Sequence, residues 1–267
     1  TLTALNGLGF VISLLTGSHL HLDLLGTGAF AVAALQALLR ENEAWNARAM
    51  LSSVGVTVWG TKLAGFLFFR ALLLRRDARL ESTLSTASGA FGFWFISLLW
   101  GILCSLPWSL GLTSSAKGSS LFTYGGFAIH VLGLIIETVS DYQKWQFKQT
   151  HSGQFCNVGL WATSQHPNFF GNLLLWAGIF LMNAPALIET APKGASIWTR
   201  LWGARRLFLA LLSPLFMGAL FSGQANGTIG NAVEMANSKY GSDPAYQTYV
   251  ETVPAIIPNP MLWFSKS

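Results

Sequence analysis

Apolar runs separated by short polar patches set the pattern of this chain. They cover Leu2–Thr16, Leu22–Leu39, Ala49–Leu74, Ser88–Leu112, Leu121–Thr138, Asn168–Met182 and Leu207–Phe221. A membrane-crossing helix needs about 20 predominantly apolar residues. Leu2–Thr16, broken by Gly7 and Gly9, is marginal for a crossing, whereas Ala49–Leu74 is long enough to cross with tilt. The patches between runs read as turns: Ser18–Asp23 with His19 and His21, Arg40-Glu41-Asn42-Glu43, the basic Arg75-Arg76-Asp77-Ala78-Arg79, the Ser/Gly segment Thr113–Ser120, and the proline-bearing Asn183–Gly203. Pro107 is expected to kink or end the fourth run. From Ser222 the chain turns polar, then aromatic and proline-rich, and is expected to fold back over one membrane face. The pattern predicts an all-α, polytopic membrane bundle with about six to seven transmembrane helices. It forms a single domain over 1–267, with N-terminal helices in 1–112, a second group in 121–222 and a membrane-surface tail in 223–267.

Polar residues inside the apolar runs are few, which makes their positions informative. Arg70 lies near the end of its run and can snorkel to the interface, while Lys62 is deeper. Glu137, Asp141, Lys144 and Lys148 are spaced by four, three and four residues, which places them on one stripe of a helix. His130, seven residues before Glu137, extends the stripe inward. A loop follows, and Ser164-Gln165-His166-Pro167-Asn168 opens the next run, with Pro167 suited to a first helical turn. The positive end of that helix would face the stripe, a favourable place for a phosphate.

Composition supports the membrane reading: 52% of residues are hydrophobic and only 10% charged, against about 25% charged in a soluble domain. Eleven Trp and nineteen Phe suit interfacial belts and helix packing in lipid. The net charge of +5 is compatible with anionic headgroups or an anionic cofactor, and no nucleic-acid motif accompanies it. Placing alternate loops on opposite sides divides Lys and Arg evenly, so the positive-inside rule sets no orientation. Cys104 and Cys156 are far apart without a C-x-x-C partner, which argues for packing cysteines and against a metal site. The chain begins at Thr1, compatible with a processed form or a fragment.

The segment GLWATSQHPNFFGNLLLWAG, beginning at Gly159, resembles the signature of the steroid 5α-reductase-like membrane proteins, in the branch of small reductase-like members. The resemblance takes in Asp141, Lys144 and Phe147, the segment WGTKLAGFLFFR (Trp59–Arg70) and the closing YGSDPAYQTYVETVPAIIPNP (Tyr240–Pro260). It implies hydride transfer from NADPH to a C=C bond of a sterol-like or other lipid, in a pocket at the membrane surface open to an apolar substrate. Asp141, Lys148, Asn168 and Asn172 fall on cofactor-contacting positions of the family, His166 sits at the pocket mouth, and Lys144 and Trp161 are placed to add a cation and an aromatic wall. No Rossmann glycine fingerprint is present, so a dinucleotide would be held in another manner. Glu137, with Tyr124 thirteen residues earlier, is the candidate acid that completes the reduction, with a structural hydrogen bond or ion pair as the other reading of Glu137. No metal is expected.

The sequence departs from the family pattern where the cofactor would bind: Gln165 stands for a signature Arg, Asn172 for a Glu, Lys148 and Lys62 for Arg, and the segment after the last run is stretched into GQANGTIGNAVE (Gly223–Glu234). Arg offers phosphate a planar fork that Gln and Lys cannot copy. A second reading therefore stands beside the reductase: a non-catalytic accessory subunit of a larger photosynthetic or respiratory complex, contacting other subunits, lipids or pigments, with His130 as a conceivable pigment ligand. The expected location is the endoplasmic reticulum or an organelle membrane, plastid or mitochondrial.

Overall fold

The structure, a computed structural model, describes residues 1–40, 46–74, 84–114, 116, 118–230 and 232–264. The basic patch 75–79 and residues 41–43 of the polar patch Arg40-Glu41-Asn42-Glu43 lie outside these. Every regular element among the described residues is helical. Among the described residues, six helical stretches are long and apolar enough to cross a membrane: Leu22–Leu39, Ala47–Leu73, Ala87–Leu112, Ser120–Thr150, Pro167–Leu187 and Arg205–Ala225. The chain is an integral membrane protein, and the reason for the all-helical solution is local: in lipid a helix satisfies its own backbone N–H and C=O groups. Apolar side chains such as Leu99, Ile102 and Leu132 stay exposed, as lipid contact allows. Leu2–Thr16 (α1) is helical but shorter than a crossing.

The predicted bounds shift in instructive places. The run Leu22–Leu39 is two helices, α2 (Leu22–Gly26) and α3 (Gly28–Leu39), meeting at Thr27. The helix of the third apolar run, α4 (Ala47–Leu74), begins before that run and so takes in Arg48. In α5 (Ala87–Leu112) the helix continues through Pro107, which does not end it. The helix α6 (Ser120–Thr150) runs past Thr138 to carry the whole polar stripe. Next come α7 (Pro167–Asn183), the short α8 (Ile197–Gly203) and α9 (Arg205–Ala225), and then α10 (Ala232–Tyr240) and α11 (Pro244–Thr252), nine residues each and too short to cross.

The chain divides into two compact units, Thr1–Phe127 with Ile179–Ser213, and Ala128–Gly178 with Pro214–Ser267. In the first, α1 lies on α5 with a large ring in the gap: a Cβ on Gly9 would sit 2.1 Å from the Trp94 ring. Trp94 donates to Ser13 Oγ at 2.9 Å, and His21 stacks on Trp94 with Nε2 3.0 Å from the Gly9 carbonyl. Phe30 meets Trp59 and Trp100 edge-on. Arg48 is fully buried and donates to the Gly111 carbonyl (3.0 Å), Asn183 Oδ1 (2.8 Å) and the carbonyls of Ser114 and Ala116. Neutral oxygens thus replace water around a buried cation. Of the two cations in α4 singled out from the sequence, Lys62 is half-buried and Arg70, near the helix end, is exposed.

In the second unit the anchor is a backbone-to-backbone crossing of α6 and α7. A Cβ on Gly171 would lie 2.5 Å from the Glu137 amide nitrogen, and one on Gly133 would lie 2.4 Å from that of Leu175. Only glycines let the two helices come this close.

Candidate functional site

The stripe on α6 separates into two parts. Glu137 is only 2% exposed and accepts from Asn172 Nδ2 at 2.6 Å. Asp141 accepts from Asn168 Nδ2 at 3.2 Å. Both asparagines lie on α7, brought opposite the carboxylates by the Gly133–Gly171 crossing. The Oδ1 atoms of Asn168 and Asn172 are buried and accept no hydrogen bond among the described residues. His130, about two turns before Glu137 on the same helix, uses Nδ1 to donate to the Leu175 carbonyl at 3.0 Å.

Lys144 and Lys148 instead face a cleft of about 380 Å³, walled by Trp161, His166, Cys156 and the tail tyrosine Tyr240. That volume lies near the lower end of small-molecule sites, about 300–1,000 Å³. The Lys144 ammonium sits 4.3 Å from the Trp161 ring centre, a cation–π contact. Trp161 is fixed by donating to the Ser140 carbonyl at 2.8 Å. Lys148 donates to the Tyr240 hydroxyl at 2.8 Å and to the Gln154 carbonyl.

The loop between α6 and α7 reaches this geometry through a glycine with positive φ. Gly159 has φ 58°, where a side chain would be strained, and a Cβ there would lie 2.5 Å from the Gln143 amide. Gln143 in turn accepts from the Leu160 backbone N–H at 2.9 Å. The tail closes over the loop. Gln165 donates to the carbonyls of Val250 (3.0 Å) and Val253 (2.6 Å), Tyr249 donates to the Trp161 carbonyl (2.8 Å), and Ser164 donates to the Ile256 carbonyl (2.7 Å).

Burial and the lysines tune the groups around the cleft. His166 is pushed down to about 4, first by burial and then by Lys144, so it is neutral at physiological pH. It stacks on Phe169 with ring centres 4.7 Å apart. Burial raises the Cys156 thiol despite the nearby lysines, which leaves it protonated and poorly reactive. Burial also raises Tyr249 and Tyr246. Tyr240 differs: burial pulls it up, but the bond and charge of Lys148, with Lys239, bring it below its ordinary value.

The structure therefore brings Lys144, Lys148 and His166 together at the cleft, and Glu137, Asp141, Asn168 and Asn172 together in the adjoining helix contact. Tyr124 does not join Glu137. It is 60% exposed and lies thirteen residues earlier in the same helix, about 20 Å along the axis. Tyr240, Cys156 and Gln154 were not among the candidates from sequence, and Tyr240 was visible only as part of the closing tyrosine-rich segment. No three His, Cys, Asp or Glu side chains gather into a possible metal site among the described residues.

Fold and cleft define the class: an all-helical integral membrane protein with a basic, aromatic-walled cleft at the ends of its helices. The chain belongs to the DUF1295 family, whose description is "protein of unknown function" and whose model matches residues 9–253. No curated protein and no solved structure matches the chain at a significant level.

Proposed function

We propose that this protein is a membrane reductase of the steroid 5α-reductase-like kind, using NADPH to reduce a C=C bond of a sterol-like or other lipid in the membrane of the endoplasmic reticulum or an organelle. The observation that carries the reading is the cleft itself, where two lysines, a neutral imidazole and an indole face one space, next along the same helix to the half-buried Asn168–Asp141 pair and the buried Asn172–Glu137 pair.

The residues present fit the charged part of such a cofactor. Lys144 and Lys148 would neutralise phosphate oxygens, Trp161 offers a ring face, and the unpartnered Oδ1 atoms of Asn168 and Asn172 can accept from an amide or hydroxyl. When bound, NADPH supplies a hydride to one carbon of the double bond. The second hydrogen must arrive as a proton, and Glu137 is the acid this reading assigns, held in place by Asn172. Tyr240, with its hydroxyl against Lys148, would orient that lysine toward the cleft.

Purified protein in lipid nanodiscs, given NADPH and a panel of lipid enones, should consume NADPH and yield products two hydrogens heavier by mass spectrometry. Lys148→Ala and Asn168→Ala should abolish the turnover. No product across the panel, with wild type correctly folded, would count against the enzyme.

A specific observation favours the second reading, an accessory membrane subunit. Gln165, where the family pattern has Arg, spends its amide on two tail carbonyls, and Asn172 spends its amide on Glu137. Both are committed to holding the fold. Co-migration with a large native complex after mild detergent extraction, without nucleotide binding, would support that role.

A further inference from the structure

The first unit carries a second concave surface, on elements that the proposed reductase chemistry does not use. Ser196 starts α8 by accepting from the Thr199 N–H at 3.2 Å, and Ala204 turns the chain directly into α9. Trp198 and Trp202, four residues apart, fall on one face of α8. They are 76% and 70% exposed, although each is large and apolar. With Phe208, Leu209 and Leu212, which are also exposed, they line an open groove of about 1060 Å³ bordered by Arg205 and Arg206.

The border is basic. Across residues 188–206 the charged groups are Glu189, Lys193, Arg200, Arg205 and Arg206, four cations against one anion. Glu189 is already taken: Arg205 holds it with two bonds, at 2.7 and 2.9 Å, and lies over the Trp202 ring. Arg206 donates to the Leu110 carbonyl (2.5 Å) and the Thr113 hydroxyl, both neutral. Arg200 donates to the Ala195 carbonyl at 3.3 Å, also neutral. The charges of Arg206 and Arg200 are thus hydrogen-bonded but not cancelled.

We propose that this groove binds an anionic phospholipid. The phosphodiester sits at Arg206, with Arg200 and Lys193 adding to the local positive potential. The two tryptophans flank the glycerol region, where amphipathic rings are favoured. One acyl chain runs along Phe208, Leu209 and Leu212, down the apolar start of a membrane-spanning helix. The exposed wall is apolar and continues into that span, so a lipid fits it and a soluble anion does not.

The test is native mass spectrometry of the full chain in mild detergent, titrated separately with phosphatidylglycerol and phosphatidylcholine. One phosphatidylglycerol should be retained about tenfold more tightly than phosphatidylcholine. Arg206→Gln should erase the preference and Arg206→Lys should keep most of it. Because Arg206 also ties down the end of α5, the exposed pair Trp198→Ala/Trp202→Ala gives a second arm. It should weaken retention of both lipids with no change in thermal unfolding. Equal retention of the two lipids by wild type, or unchanged retention in the double tryptophan variant, would overturn the proposal.

Discussion

Two halves of one helical stripe end up in opposite surroundings. Glu137 and Asp141 are met across a glycine-paired helix contact by two asparagine amides, so their chemistry is directed inward. One turn further along the same face of α6, Lys144 and Lys148 leave that contact. They are met by an indole, a phenol and a space of about 380 Å³. The spacing of the four residues is regular, so periodicity cannot distinguish the halves. What separates them is where α7 begins: Pro167 starts a helix that covers the carboxylates and leaves the lysines beyond its first turn.

The largest expected effect comes from breaking the contact that creates this division. In Gly171→Ala the new Cβ would meet backbone at 2.5 Å, with no flexible side chain to yield. Overpacking of this kind costs about 1–3 kcal/mol or more, and the upper part of that range is expected in thermal unfolding. The same change at Gly218, which has open space around it, should be close to neutral. Equal effects at the two glycines would dissolve the contrast.

Next is Asn172→Leu, which removes the amide donor from the buried Glu137 carboxyl. A loss of about 1–3 kcal/mol is expected. Lys144→Met, at the open end of the stripe, should cost well under half as much in the same unfolding measurement.

The cleft has its own signature in pH. The His166 imidazole titrates near 4 in the folded protein against an ordinary 6.5. Above pH 6.5 the ring is neutral folded or unfolded, and stability is at its full value. As pH falls from 6.5 toward 4 the unfolded chain takes the proton first, so stability drops, and below about 4 the loss levels off. A shift of this size corresponds to about 3 kcal/mol at most, and partial exposure reduces it to about 1–2 kcal/mol. Unfolding of wild type and His166→Gln compared at pH 7 and pH 4.5 reads it directly. The variant should show the smaller drop.

How much of this the sequence disclosed depends on distance along the chain. The spans were legible because each is a continuous apolar run, and the stripe was legible because four-residue spacing is a local property of a helix. Arg48 was not, since it sits just outside an apolar run and its partners at Gly111 and Asn183 are far along the chain. The Lys148–Tyr240 bond joins residues 92 positions apart, and no spacing rule reaches that far. Gly133 and Gly171 carry no local signal in an apolar run, because their role arises only where the two helices touch. Gln165 read as a lost phosphate ligand, while the structure gives it a different task, holding the tail at Val250 and Val253. Tyr124 was chosen for its closeness in sequence, and thirteen residues of one helix put it about 20 Å along the axis from Glu137.

The decisive measurement is calorimetric titration of NADPH into the purified, lipid-embedded protein, for wild type and Lys148→Ala. Saturable binding in wild type, weakened about tenfold or more by the variant, a change of at least about 1.4 kcal/mol, is the result expected if the lysine end of the stripe grips a phosphate-bearing cofactor. No saturable binding by a folded wild type, or binding indifferent to Lys148, would contradict it.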